Sequence, residues 1–140
     1  MVGLAFAFLL IAGLANAEPK SRVISANQAR ELVRAALPSG TLKEAVSIQR
    51  GSDDYMPGYY SFSAYGPVNP VGSSLIGHFL VDPKTGDVLD GIVCREYRTP
   101  LLAKLQISIR KQLRLSLAEY HRLRHPSPFC DENWPTADKF

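Results

Sequence analysis

The stretch LIGHFLVDPKTGDVLDGIVCREYR, Leu75 to Arg98, decides how the chain folds. In its first arm Leu75, Gly77, Phe79 and Val81 fall on one face, while Ile76, His78 and Leu80 fall on the other, as the two-residue period of a strand requires. Both faces are largely apolar, the pattern of a strand covered on both sides. Asp82 is placed to start an Asx-type turn, Pro83 presets φ for its first corner, and Gly86 supplies a position where φ is positive. Apolar content resumes at Val88 and continues through Leu89, Ile92 and Val93 to Cys94, with Gly91 marking a bulge or bend. The spacing predicts a long β-hairpin turning over Asp82–Asp87.

Upstream, the run from Gly58 to Tyr65 sets Tyr60, Phe62 and Ala64 against Tyr59, Ser61, Ser63 and Tyr65, a half-exposed strand with a tyrosine-bearing face. Glu44 to Arg50 reads as a shorter strand with Val46 and Ile48 inward. Before it comes a helix: Ser25 and Gln28 form a capping box, Ala29, Leu32, Val33, Ala36 and Leu37 recur at helical spacing, and Leu37-Pro38-Ser39-Gly40 stops it. Arg30, Glu31 and Arg34 are left to face water.

Downstream the chain turns helical. Thr99 can cap with Pro100 at the first helical position, and Leu101, Leu102, Leu105, Ile109 and Leu113 form a stripe. Ser116 and Glu119 make a second capping box, with Leu115 and Tyr120 placed as a hydrophobic staple and an end near His125-Pro126. Arg110, Lys111, Arg114, Arg122 and Arg124 give these helices a basic face, read as a solvated one. The order predicts an α+β fold: a curved antiparallel sheet of three to four strands, one N-terminal helix and two C-terminal helices.

The N-terminus is a separate matter. Val2 to Leu14 is apolar without a charge, and Ala15-Asn16-Ala17 has the small-x-small pattern of a signal-peptidase site. The run is short for a membrane span and reads as a secretory leader, residues 1–17, cleaved before Glu18. Residues 18–140 then form one domain in the periplasm or outside the cell, enough for a single modest core. An oxidising compartment predicts that Cys94 and Cys130 are bridged, which ties the hairpin to the tail; in the chain-entropy model a loop of this length is worth about 4 kcal/mol.

Composition excludes more than it names. With 16 Lys and Arg against 13 Asp and Glu the net charge is +3, too weak to point to nucleic acid. His78, His121 and His125 show no metal spacing with Cys or carboxylates, no nucleophile sits in a Gly-flanked elbow, and no glycine-rich phosphate loop opens a helix. Asp53 and Asp54 are adjacent and lack the spaced oxygens of a calcium loop. No enzyme, cofactor or metal is expected. Two loops, residues 51–57 and 66–74, combine turn formers with exposed-looking Tyr55, Met56 and Val68, and loops carry recognition more often than cores do. Tyrosine offers large contact area at low entropic cost. The expected contact set is therefore Asp53, Asp54, Tyr55, Met56, Tyr59, Tyr65, Val68 and Asn69, meeting a protein or a second copy of the chain.

The segment from Gly77 to Val88, following a helix and a Tyr-rich strand, resembles the hairpin of PepSY-type domains and of the NTF2-like fold immunity proteins that Gram-negative bacteria make against secreted toxins. The resemblance spans Ser25 to Tyr97. It implies a cystatin-like or NTF2-like sheet wrapped on a helix, and a periplasmic inhibitor or immunity protein that occludes the site of a toxin or envelope enzyme. The alternatives are a small-ligand carrier or envelope hydrolase with a pocket in the sheet's concavity, and a structural envelope protein whose basic helices meet anionic surfaces.

Overall fold

A computed structural model describes residues 22–41, 46–68 and 71–124 of the chain. Its elements run α1 (Ala26–Ala36), β1 (Ser47–Arg50), β2 (Tyr60–Tyr65), β3 (Leu75–Val81), β4 (Val88–Asp90), α2 (Pro100–Gln112) and α3 (Leu117–Leu123). The strands form one antiparallel sheet in the order β1-β2-β3-β4, so each is hydrogen-bonded to its neighbour in sequence. With one N-terminal and two C-terminal helices, the architecture is the expected α+β one.

Local chemistry explains each boundary. Ser25 and Gln28 cap each other's backbone at 2.9 and 3.2 Å, giving α1 its start. Leu37 ends it in an extended conformation, φ −61° and ψ 141°, because the ring of Pro38 disfavours helical geometry in the residue before it. In the turn after β3, Lys84 N donates to Asp82 Oδ1 at 2.7 Å and Gly86 N to Asp82 O at 2.9 Å, with Gly86 at φ +75°. Here an ordinary side chain would be strained, and its Cβ would press on Ile109 Cγ2 at 3.2 Å.

The core lies between α1 and the inner sheet face. Ala29, Leu32, Val33 and Ala36 pack on Ile48, Phe62, Ala64, Phe79, Val81 and Val88, and α2 adds Leu102, Ile109 and Leu113. Tyr97 closes one side, its ring stacked on Phe79 with centroids 4.9 Å apart and its hydroxyl donating to Asp90 Oδ2 at 3.1 Å.

Three expectations need correction. The second hairpin arm was expected to reach Cys94 but stops at Asp90, because Asp90 Oδ1 accepts from Ile92 N and Val93 N at 2.8 and 2.9 Å and turns the chain away. Ile92 is 69% exposed as a result. The sheet is not covered along the whole of β3: Leu80 is buried on its outer face, yet Leu75 and Ile76 are open to water. In α2, Leu101 is also exposed rather than part of the apolar stripe, which runs through Leu102, Leu105 and Ile109.

Candidate functional site

The hairpin turn is a polar hub rather than a free loop. Asp87, almost fully buried, accepts from Arg110 Nη2 at 2.6 Å and Tyr120 OH at 3.0 Å through Oδ1, and from Thr85 Oγ1 at 3.0 Å through Oδ2. The Arg110 guanidinium also lies 3.8 Å over the Tyr120 ring. Gln106 Nε2 donates to Gly86 O at 3.1 Å, so α2 holds the turn by backbone and side chain together. Both carboxylate oxygens of Asp87 are occupied, which suits a clamp between elements.

Burial governs the titration of this region. Asp82 is raised above the ordinary aspartate value, first by loss of water and then by the nearby charge of Asp87, against the opposing bond from Lys84 N. Tyr59 and Tyr120 are each pushed up to about 12, again mainly by burial, with Asp87 adding to both and Asp82 to Tyr59.

The basic face is only partly a solvated one. Arg110 is committed to Asp87, and Arg124 Nη2 reaches Glu96 Oε2 at 2.6 Å, where Arg98 also binds at 3.0 Å. Lys111, Arg114 and Arg122 stay exposed. Tyr120, the residue expected to staple with Leu115, also donates its hydroxyl to Asp87. α3 has no buried residue, so these polar ties supply much of its attachment.

The residues expected to form one contact surface separate into two groups. Loop 51–57 lies at the end of β2 nearest the Asp82 turn, whereas loop 66–74 lies at the opposite end, roughly 20 Å away by strand rise. Asp53 is exposed and paired with Arg50 at 2.6 Å. Asp54 takes a bond from Ser52 Oγ at 3.4 Å, Tyr55 is exposed, and Tyr59 is half-buried beside Asp82. Met56 is a correction: it is 2% exposed and so cannot meet a partner. The loop folds back on the sheet, where Gly51 N donates to Ser61 O at 2.9 Å and Ser61 Oγ to Ser52 O at 3.3 Å. A Cβ on Gly51 would stand 2.4 Å from Ser61 Oγ, so glycine permits the approach. At the far end Tyr65 and Val68 sit with the exposed Val71, Leu75 and Ile76, while Asn69 lies outside the described residues.

The outer sheet face between these ends is polar and uncharged. Gln49, Ser63 and Tyr65 project from it, and Ser63 Oγ lies 2.9 Å from His78 Nδ1 across the β2–β3 pair. Among the described residues no three His, Cys, Asp or Glu side chains converge as metal ligands.

A cavity of about 600 Å³ lies between α1 and α2, lined by Asn27, Gln28, Arg30 and Gln112 over a floor of Leu32, Leu105 and Ile109. Arg30 does not simply face water, since its Nε is buried there without a hydrogen-bond partner. The cavity is not in the sheet's concavity, because α1 fills that face.

Sequence reasoning missed Val71, Leu75, Ile76 and Ile92 as surface residues. From Tyr55 through Val81 the sequence contains no Asp, Glu, Lys or Arg, although 21% of the chain is charged, and this was the available signal.

No protein-family model matches the chain, and a search of curated proteins also gives no match. The chain is similar to a chain of a solved type VI secretion system effector–immunity complex from Pseudomonas protegens, with 25% identity and a TM-score of 0.56, over 77% of this chain and 91% of that one.

Proposed function

We propose that this protein is an immunity protein that binds and neutralises a toxin delivered into the cell envelope, acting by occlusion rather than by catalysis. The observation that carries this reading is the likeness to a chain of an effector–immunity complex over most of both chains. Of the two partners in such a complex, the immunity side suits this chain better. Its most buried charged cluster, Asp82, Asp87 and Arg110, is satisfied internally, as a structural clamp is.

The same reading includes export with cleavage after Ala17 and a bridge between Cys94 and Cys130. Cys130 and residues 1–17 lie outside the described residues; Cys94 stands at the end of the turn after β4 with φ +55°, and no free cysteine occurs among the described residues. Replacing both cysteines by serine lowers the melting temperature, consistent with the loss of about 4 kcal/mol. An unchanged melting point refutes the bridge.

The test uses the mature chain, residues 18–140. Proteins retained on it from envelope extract of toxin-challenged cells are assayed with increasing amounts of the chain. A retained toxin whose activity falls to zero at a stoichiometric ratio supports the reading, as does survival of challenged cells only when residues 1–17 are kept. Full toxin activity at an excess of the chain sinks it.

A further inference from the structure

Of the charges on α1, Arg30 is the one that folding leaves unmatched. Glu31 and Arg34 pair with each other, Oε2 to Nε at 3.8 Å. Among the described residues no carboxylate meets the half-buried Arg30, and its Nε is buried with no hydrogen-bond partner. Leaving a buried donor of a charged group unsatisfied is costly. The side chain lines the cleft of about 600 Å³ between α1 and α2, a volume within the range of small-molecule sites, roughly 300–1,000 Å³.

A chain of bonds sorts the amides of the cleft into donors and acceptors. The backbone N–H of Ser25 can only donate, so Gln28 Oε1 accepts it at 2.9 Å, and Gln28 Nε2 is the donor to Gln112 Oε1, also at 2.9 Å. Gln112 is thereby left with Nε2 as a donor in the same cleft as the guanidinium. The floor is apolar: Leu32 and Ile109 are buried, and Leu105 packs against the core beside them. It is also preformed, because the hairpin turn backs on it. A Cβ at Gly86 would stand 3.2 Å from Ile109 Cγ2 and 3.5 Å from Leu32 Cδ1. On α2, Leu105, Ile109 and Gln112 recur at helical spacing, which sets floor and donor on one stripe.

We propose that this cleft binds a small monocarboxylic acid in its ionised form, with Arg30 and Gln112 Nε2 donating to the carboxylate and Leu32, Leu105 and Ile109 receiving an apolar tail. A guanidinium and a carboxylate match in shape and charge, and their attraction strengthens away from water. The ligand reaches Arg30 through the terminal nitrogens, and the buried Nε gains from the neighbouring negative charge. Charge also limits the class. Glu31 lines the same cleft, so a dianion such as a phosphate monoester meets one unmatched cation and a repelling carboxylate. A nucleic acid or an anionic membrane needs a run of cations that the cleft does not offer. A single carboxylate needs only Arg30. This inference goes beyond the immunity reading and stands or falls without it.

The test titrates the isotope-labelled mature chain at pH 7 with benzoate and hexanoate, following backbone amide shifts. Benzamide, phenyl phosphate and N-acetylglutamate α-amide are the comparison probes; the last presents its carboxylate as a protein side chain does. The two acids are expected to shift the amides of residues 27–32 and 105–112 saturably. Each comparison probe should bind about 10-fold or more weaker, the scale of a hydrogen bond to a charged group. Arg30→Met should weaken both acids by the same factor and melt no lower than wild type, because it removes an unsatisfied donor. Arg122→Met, exposed on α3, should leave binding unchanged. The absence of saturable shifts at these residues, equal binding of benzamide, or unchanged binding by Arg30→Met overturns the site. Tighter binding of phenyl phosphate overturns the ligand class. Binding of the glutamate derivative as tight as that of the acids points to a side chain of a bound protein and overturns the free acid. Comparing benzoate with benzamide uses the wild-type chain alone, so it decides even if Arg30→Met does not fold.

Discussion

Asp87 and Arg110, 23 residues apart, meet at 2.6 Å with the carboxylate side chain only 6% exposed and the guanidinium 24% exposed. One belongs to the hairpin turn and the other to α2, so the pair joins the sheet to the helical third. Its geometry is fixed further by the Tyr120 hydroxyl on the same oxygen.

Removing Arg110 therefore leaves a buried carboxylate with its main counter-charge gone. Arg110→Met should destabilise by about 3 kcal/mol, read from the denaturation midpoint, whereas Arg110→Met with Asp87→Leu should recover much of the loss. If the double variant is no more stable than the single one, the loss comes from packing and the charge argument fails. Arg110→Lys should not restore full stability, because an ammonium lacks the planar face that lies over Tyr120.

The two exposed-looking loop residues should behave oppositely. Met56→Ala removes a side chain that is 2% exposed and should cost about 2–5 kcal/mol by thermal or chemical denaturation. Val68→Ala, at 92% exposure, should leave the midpoint within about 0.5 kcal/mol. Equal effects at the two sites would contradict the described loop packing.

At the end of α2, Arg114 sits at φ +54°, with its N–H donating to Lys111 O and Leu115 N donating to Arg110 O, each at 3.0 Å. This is the left-handed helix stop that glycine fits best, occupied here by arginine. Arg114→Gly should raise stability by about 1 kcal/mol, because the strain relieved at an exposed position exceeds the added freedom of the unfolded chain. A lower midpoint would show that the arginine side chain makes a stabilising contact.

Asp82 predicts a pH dependence of definite sign. Its pKa is raised in the folded state from 3.8, so between that value and the folded one the native form holds more proton than the unfolded chain. Stability from this group then falls as pH rises through the window and stays lower at neutral pH. Asp82→Asn keeps an oxygen for the Lys84 N–H and removes the buried charge. Its melting temperature relative to wild type should be higher at pH 7 than at pH 3, and a constant difference across that range refutes the assignment.

Much of the backbone plan was legible because it depends on short-range chemistry. Ser25 with Gln28, Thr99 with Pro100, and Ser116 with Glu119 each mark a helix start by groups three residues apart or fewer, and all three starts are present. The turn at Asp82 to Gly86 is equally local. The second arm misled because Gly91-Ile92-Val93 has strand-like composition, while the Asp90 carboxylate, capturing the next backbone N–H groups, ends the strand.

Sequence by itself determined the elements, their antiparallel order and the inward sets Ala29, Leu32, Val33 and Phe62, Ala64, since periodicity and capping are properties of neighbouring residues. Only the tertiary structure decided which charges and which loops do what. Arg110 and Arg124 belong to a basic run in sequence, but folding spends them on Asp87 and Glu96. Met56 and Val68 look alike in their loops, yet one is buried and the other open. Burial and ion pairing depend on what a residue meets from distant parts of the chain, and local pattern carries no record of those meetings.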